Sequence, residues 1–208
     1  MTESLRRIRK LTLTEYLDFE ASALEKHEFV DGDIVAMSGG SEAASLIATN
    51  ILGELHSALK GKPCRVYDSN LKVRIGRKHR YRYPDALVIC GPTIPDPDDR
   101  RKHSVTNPKL VVEVLSPSTE RIDRVQKFAD YRELESFVEY VLVSQTEPTI
   151  ETFFRQEDGA WRIDVQTGVE GSTFLRSIDV TLSHREVFAN VEFPPPAPTK
   201  DPLDESGD

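Results

Sequence analysis

Apolar positions recur along this chain at two spacings, one helical and one alternating. From about Glu42 to Lys60, the residues Leu46, Ile47, Ile51, Leu52, Leu55 and Leu59 fall on one helical face. Gly61-Lys62-Pro63 ends that helix. An earlier stretch, Leu11-Thr12-Leu13-Thr14-Glu15-Tyr16-Leu17, reads as a helix start with Thr12 or Thr14 as its cap. Between the two helices, Glu28 to Met37 carries apolar flanks about Asp31-Gly32, a two-residue turn signal, and predicts a β-hairpin. Ser38-Gly39-Gly40-Ser41 then breaks the chain.

Strand patterns dominate the remainder. Arg65 to Ile75 and Arg80 to Cys90 flank the turn Gly76-Arg77-Lys78-His79, and residues 91–107 form a Pro- and Asp-rich loop. Lys109 to Leu115 is apolar on both faces, as a central strand would be. Thr119 can cap a helix running to about Leu134. Phe137–Val143 is a further strand, and Ile150–Phe154, Trp161–Val165 and Ile178–Leu182 complete a meander. A short helix, Arg185–Ala189, follows Ser183 as cap. From Phe193-Pro194-Pro195-Pro196 the apolar content ends, which predicts a disordered Pro-rich, acidic tail over residues 193–208. The order predicts an α/β (mixed α+β) fold: one domain over residues 1–192, with a central mixed β-sheet flanked by helices and no internal repeat.

Composition narrows the picture. A chain of 208 residues can bury a sizeable core without disulfides. Its two cysteines, Cys64 and Cys90, suggest neither a disulfide scaffold nor a C-x-x-C metal pair, so a reducing cytoplasm is the simplest compartment. Met1 to Lys10 is basic but lacks the apolar segment of a signal peptide, and no run approaches the ~18–20 apolar residues of a membrane span. The net charge is −8, part of it in the tail, where Lys200 stands against Asp201, Asp204, Glu205 and Asp208. A nucleic-acid partner would therefore have to use local patches and bridging cations.

Two carboxylates interrupt apolar, β-branched runs. Pro84-Asp85 opens Ala86-Leu87-Val88-Ile89, and Glu113 lies inside Lys109-Leu110-Val111-Val112-Glu113-Val114-Leu115. Carboxylates are rarely buried unless paired or holding a cation. By strand alternation Tyr81, Tyr83, Asp85, Leu87 and Ile89 share a face, as do Lys109, Val111, Glu113 and Leu115. If the two strands are neighbours with matching faces, one divalent cation can sit between the acids. Oxygen-only donors favour Mg²⁺, Mn²⁺ or Ca²⁺ over Zn²⁺, and a metal-bound water points to phosphate chemistry. The alternative is that both acids end their strands in solvent, capping loops or pairing with arginines.

Pro84-Asp85, then Glu113-Val114-Leu115-Ser116-Pro117-Ser118-Thr119, then Asp123, Lys127, Tyr131 and Glu139-Tyr140 resemble the PD-(D/E)XK nuclease superfamily. More narrowly they are similar to the Uma-type restriction-endonuclease family, long catalogued as a domain of unknown function. Thr14-Glu15-Tyr16-Leu17, His27-Glu28-Phe29-Val30-Asp31-Gly32 and Ala36-Met37-Ser38-Gly39 fit as well, so the likeness runs from about residue 11 to 190. The resemblance implies a restriction-endonuclease-like core, with Asp85 and Glu113 as metal carboxylates and Glu28 as a third acid. The superfamily places a lysine two residues after the second acid, where this chain has Leu115. The narrower family supplies it from the following helix, which implies Lys127 as the group that stabilises charge or orients water. At 100° per residue, Ile122, Val125, Phe128 and Ala129 form the apolar face and Lys127 lies away from it, with Asp123 and Tyr131. A solvated Asp123–Lys127 pair is thus a competing reading, and Gln126, nearer the core edge, a second candidate. Family members commonly carry His where this chain has Ala44.

Residues 71–82 hold Lys72, Arg74, Arg77, Lys78, His79, Arg80 and Arg82 with no acid among them. On a hairpin, Lys72 with Arg74 and Arg80 with Arg82 would grip phosphates beside the metal, with Tyr81 or Tyr83 stacking on a base. The bland counterpart is an edge hairpin kept soluble by charge. Arg100-Arg101-Lys102-His103 is a second basic stretch. The histidines, including His27, His56 and His184, show no ligand spacing. The leading expectation is a Mg²⁺- or Mn²⁺-dependent endonuclease acting on DNA phosphodiester bonds, a homodimer by analogy. A nuclease-like module that binds metal or nucleic acid without cutting is the alternative, and a structural or regulatory protein is the third reading.

Overall fold

The structure is a computed structural model that describes residues 7–37, 39–76 and 80–195. Thr12 caps helix α1 (Leu13–Glu20): its side chain accepts from the Glu15 amide, and Glu15 accepts in return from the Thr12 amide. A strand that the pattern did not signal, β1 (Arg7–Lys10), precedes it. The hairpin forms as β2 (His27–Val30) and β3 (Asp33–Ala36), with Asp31 at φ 51° and Gly32 at φ 90° in the turn. Positive φ at both turn positions matches the twist of the flanking strands. Ser41 caps α2 (Glu42–Ala58), which buries Ile47, Ile51 and Leu55.

Both long strands expected next are interrupted. Residues 64–75 divide into β4 (Cys64–Asp68) and β5 (Lys72–Ile75), and residues 80–90 into β6 (Arg80–Arg82) and β7 (Ala86–Cys90). The loop after β7 contributes the short strand β8 (Ser104–Val105), and β9 spans Leu110–Leu115. A π-helical turn, Ile122–Lys127, runs into α3 (Phe128–Tyr131). Then come β10 (Glu139–Ser144), β11 (Thr149–Arg155), β12 (Trp161–Thr167), β13 (Ser172–Leu175), β14 (Val180–Ser183) and α4 (His184–Val187).

The strands form two six-stranded sheets, ordered β1-β3-β2-β6-β5-β8 and β12-β11-β10-β9-β7-β4, plus a β13-β14 ribbon. β9 and β10 are parallel, their neighbours antiparallel, so the second sheet is mixed as expected. The expected single central sheet is corrected to two, and Ile178–Leu182 joins the ribbon rather than the β11–β12 meander. Alternation along β9 explains the layering. Leu110, Val112 and Val114 pack with α2, β14 and α4, while Val111 and Leu115 pack with Tyr131, Phe137 and Tyr140 on the other face. A third cluster, Tyr16, Phe29, Ile34 and Tyr81, seats α1 on the first sheet.

One expectation about the periphery is also corrected. Cys64 and Cys90 are paired partners on β4 and β7 and form a disulfide. Phe193, at the start of the expected tail, packs against Phe188 with ring centroids 5.5 Å apart. Residues 196–208, like Arg77, Lys78 and His79 of the basic arm, lie outside the described residues.

Candidate active site

Pro84-Asp85 marks the point where the chain leaves the first sheet and enters the second. Proline has no N–H for a ladder, which suits the break between β6 and β7. In the antiparallel pairing of β7 with β9, Leu87 faces Val111 and Ala86 faces Val112. The next step of that register sets Asp85 opposite Glu113, just past the last paired residue. The Asp85 carboxylate accepts a hydrogen bond from the Val114 amide at 2.7 Å. The neighbouring strands that alternation alone left open are therefore neighbours, with faces matched.

Glu113 is 3% exposed, on the aromatic face of its sheet. Its carboxylate accepts from the Tyr131 hydroxyl at 3.1 Å and from the Lys127 ammonium at 2.9 Å. The same ammonium lies 2.8 Å from Asp123 and 3.8 Å from Glu28. The helix opens with a π turn and turns the face carrying Asp123, Lys127, Asp130 and Tyr131 inward, leaving Val125 61% exposed. That reverses the face assignment made at 100° per residue. Gln126 is exposed and lines the cleft. Asp123 is held in turn by the Thr119 hydroxyl, which donates to its carboxylate at 2.8 Å. Glu28, on β2, accepts from Arg82 at 2.6 Å and from the Tyr83 amide at 3.4 Å.

Charge in this group is unbalanced. Burial pushes the Glu113 carboxyl well above its usual range, and Asp123, Asp85 and Glu28 add to the effect against the pull of Lys127. Burial raises Asp85 too, although the Val114 amide opposes it. For Glu28, the burial penalty is outweighed by Lys127 and Arg82, and its carboxyl is held below the usual range. Burial alone would discharge Lys127, but Glu113, Glu28 and Asp123 hold it firmly protonated. All of these line a cleft of about 920 Å³. Glu28, Asp31, Asp33, Asp68, Asp85, Glu113 and Asp123 line it against Arg82 and Lys127. Ala44 and Ser116 to Thr119 also line it. Among the described residues no group of three or more His, Cys, Asp or Glu is already clustered as a metal site. The donors are nonetheless all carboxylate oxygens, suited to a hard cation, and their surplus negative charge is what such a cation would relieve.

The basic arm is placed differently from the expected phosphate grip. Lys72 is buried, 3.7 Å from Asp99 and over the rings of Tyr16 and Tyr81. Arg74 pairs with Asp98 at 3.0 Å and Asp96 at 3.4 Å. Arg80 pairs with Asp31 and Asp130, and Arg82 with Glu28 and, at 2.7 Å, Asp130. Tyr81 and Tyr83 are buried as well. The stretch without acids in sequence is met by acids from β2–β3, the 91–107 loop and α3. Of the histidines, His27 contacts Glu20 and His184 contacts Thr173 and the Gly168 carbonyl, while His56 is exposed.

Sequence reasoning missed the inward roles of Asp123, Asp130 and Tyr131, and the use of Arg82 as the partner of Glu28. It also missed Gln145, which donates to the Leu115 carbonyl at 2.8 Å and takes the Ser41 hydroxyl on its other end. The i,i+4 spacing of Asp123 and Lys127 was visible, but its inward direction was not.

Comparison with known proteins adds an independent line. Residues 13–183 match the model of the Uma2 family, described as "Putative restriction endonuclease". A protein of Synechocystis sp., slr1290, described as uncharacterized, is 41% identical over 88% of this chain and 94% of its own length. A second from the same organism, sll1609, also described as uncharacterized, is 33% identical over 73% of this chain and 84% of its own length. The fold resembles a crystal structure from Anabaena variabilis, described as "a putative nuclease belonging to DUF820". The TM-score is 0.68 at 18% identity, covering 86% of this chain and 97% of that one.

Proposed function

We propose that this chain, which belongs to the Uma2 family, is a Mg²⁺- or Mn²⁺-dependent endonuclease that hydrolyses DNA phosphodiester bonds. The observation that carries the reading is the buried Glu113 beside Lys127, across a strand pair from Asp85. Asp85 and Glu113 would hold the metal, with Glu28 as an outer ligand. When bound, the metal would polarise a phosphoryl oxygen and make its water a stronger nucleophile.

Of the two roles that the resemblance implies for Lys127, stabilising charge or orienting water, its environment favours the first. Held protonated by three carboxylates, it offers positive charge to the oxygens of the phosphorane-like transition state rather than taking a proton. Arg82 keeps Glu28 ionised. Tyr131 holds one oxygen of Glu113 and so fixes the direction of the other. The water oxygen forms its bond to phosphorus as the bond to the ester oxygen breaks, the water's proton passing to solvent and the leaving oxygen taking a proton from solvent.

One observation favours a second reading, a module that binds metal or nucleic acid without cutting. The arm expected to grip phosphate is tied into ion pairs, and acids outnumber bases along the cleft. The Cys64–Cys90 disulfide favours an oxidising setting over the cytoplasm expected from the sequence. Among the described residues no helix is long and apolar enough to cross a membrane.

Plasmid and single-stranded DNA cleavage with Mg²⁺ or Mn²⁺, in wild type, Asp85→Ala and Lys127→Ala, tests the reading. Cutting by wild type that falls about 10²–10³-fold or more in both variants supports it. Metal binding lost in Asp85→Ala without cutting by wild type would favour the second reading, and absence of both would discard each.

A further inference from the structure

The second sheet ends in an unprotected strand. β12 pairs with β11 in unbroken register from Thr149 opposite Thr167 to Arg155 opposite Trp161, and on its other side it meets no strand among the described residues. Its sequence, Trp161-Arg162-Ile163-Asp164-Val165-Gln166-Thr167, holds no proline and no lysine. Its pairing shows no bulge, and its charged residues, Arg162 and Asp164, alternate with Ile163 and Val165 and so lie on the opposite face. Ile163 and Val165 are 56% and 52% exposed on the face that carries Trp161. Val125, 61% exposed, extends that face, since its neighbours Arg124 and Phe128 reach Glu151 and Trp161.

We propose that β12 is the interface for a second copy of this chain, joined edge to edge as an antiparallel pair about a two-fold axis at Ile163. A second copy offers charge complementarity, and the register centred on Ile163 is the one that pairs opposite charges. A two-fold axis normal to the sheet keeps each face on its own side, so it must pass through a residue. Centred on Arg162 or Asp164, it would set like charges directly opposite, which is unfavourable. Centred on Ile163, it sets Arg162 opposite Asp164 of the partner twice over. It also brings Ile163 against its own copy and Trp161 against the partner's Val165. Arg162 and Asp164 already lie 2.9 Å apart within the strand, so the exchange trades an internal pair for crossed ones. The twelve-stranded continuous sheet that results buries the exposed Ile163–Val165 row and pairs the free ladder groups. This inference is independent of the nuclease reading.

Sedimentation velocity on the full chain, from about 1 to 100 µM, tests it. Wild type is expected as a dimer, with Ile163→Lys weakening association by about 100-fold or more. Arg162→Asp and Asp164→Arg should each weaken it, and the double exchange should recover most of the loss. Circular dichroism checks the fold of each variant. Because Ile163 meets its own copy, Ile163→Cys should cross-link between chains under mild oxidation, whereas Gln166→Cys should not. A wild type that is monomeric throughout, an Ile163→Lys protein as dimeric as wild type, or an Ile163→Cys protein that stays uncrosslinked would overturn the proposal.

Discussion

Lys127 is the residue on which the chemistry turns, and its position depends on Asp123. The ammonium is shared among Glu113, Asp123 and Glu28, and of these only Asp123 lies on the same turn of chain. Asp123 is itself fixed by Thr119 and has its carbonyl tied to the Tyr140 hydroxyl at 3.0 Å. Asp123→Asn should therefore let the ammonium drift toward Glu113, lowering turnover by about 10-fold with little change in substrate KM. Asp123→Glu, which restores the charge, should recover part of that loss. A kcat unchanged in Asp123→Asn would remove Asp123 from the arrangement. Asp85 and Glu113 stood out in the sequence because a carboxylate among β-branched residues is conspicuous against strand alternation, whereas Glu28 came from the likeness to a family. Lys127 did not, since the apolar side chains of its helix lie on the other face and suggested that this other face turns inward. Only the likeness to a family pointed at it, and the buried face is the one that carries Asp123, Lys127 and Tyr131.

At the scale of elements, the site is assembled where local pattern is least informative. The hairpin, α1, α2 and the central β9 strand follow from periodicity and capping residues at close to their observed bounds. The exchange of sheets at Pro84-Asp85 and at Ser69–Leu71 does not, because alternation reports which face a side chain takes and not which sheet owns the strand. The partners of the basic arm were hidden for the same reason: Asp31, Asp98, Asp99 and Asp130 are distant in sequence. One clasp across these elements can be tested directly. The Ser41 hydroxyl caps α2 by accepting from the Ala44 amide and also reaches Gln145, which anchors on the Leu115 carbonyl at the end of β9. Ser41→Ala removes the cap and one end of the bridge together. A loss of about 1 kcal/mol in unfolding free energy is expected, from the cap alone. Denaturant titration reads it, and a variant as stable as wild type would show that the clasp carries no load.

For the whole molecule, the balance of charge sets how stability should change with pH. The chain carries 35 acidic against 27 basic residues, and several of the acids converge on one cleft. Glu113 and Asp85 are raised above their ordinary values by burial, so the folded state binds their protons more tightly than the unfolded state does. Between the ordinary and the raised values the native chain then holds more protons, and stability falls as pH rises. Glu28 is shifted the opposite way; its contribution is present above its ordinary value and is lost in acid. Metal-free protein should accordingly lose Tm as pH climbs above the usual carboxylate range. Asp85→Asn, with one fewer buried charge to ionise and its amide oxygen still able to accept from Val114, should lose less. A divalent cation binds the ionised carboxylates of the native state and should flatten the wild-type slope. At a hundredfold excess over its Kd it would add about 2.7 kcal/mol. Differential scanning fluorimetry of both proteins, with chelator and with Mn²⁺, separates these effects. Parallel pH curves for wild type and Asp85→Asn in chelator would show that Asp85 carries no strained charge. A wild-type curve indifferent to Mn²⁺ would show that the cleft's negative charge is balanced without a metal.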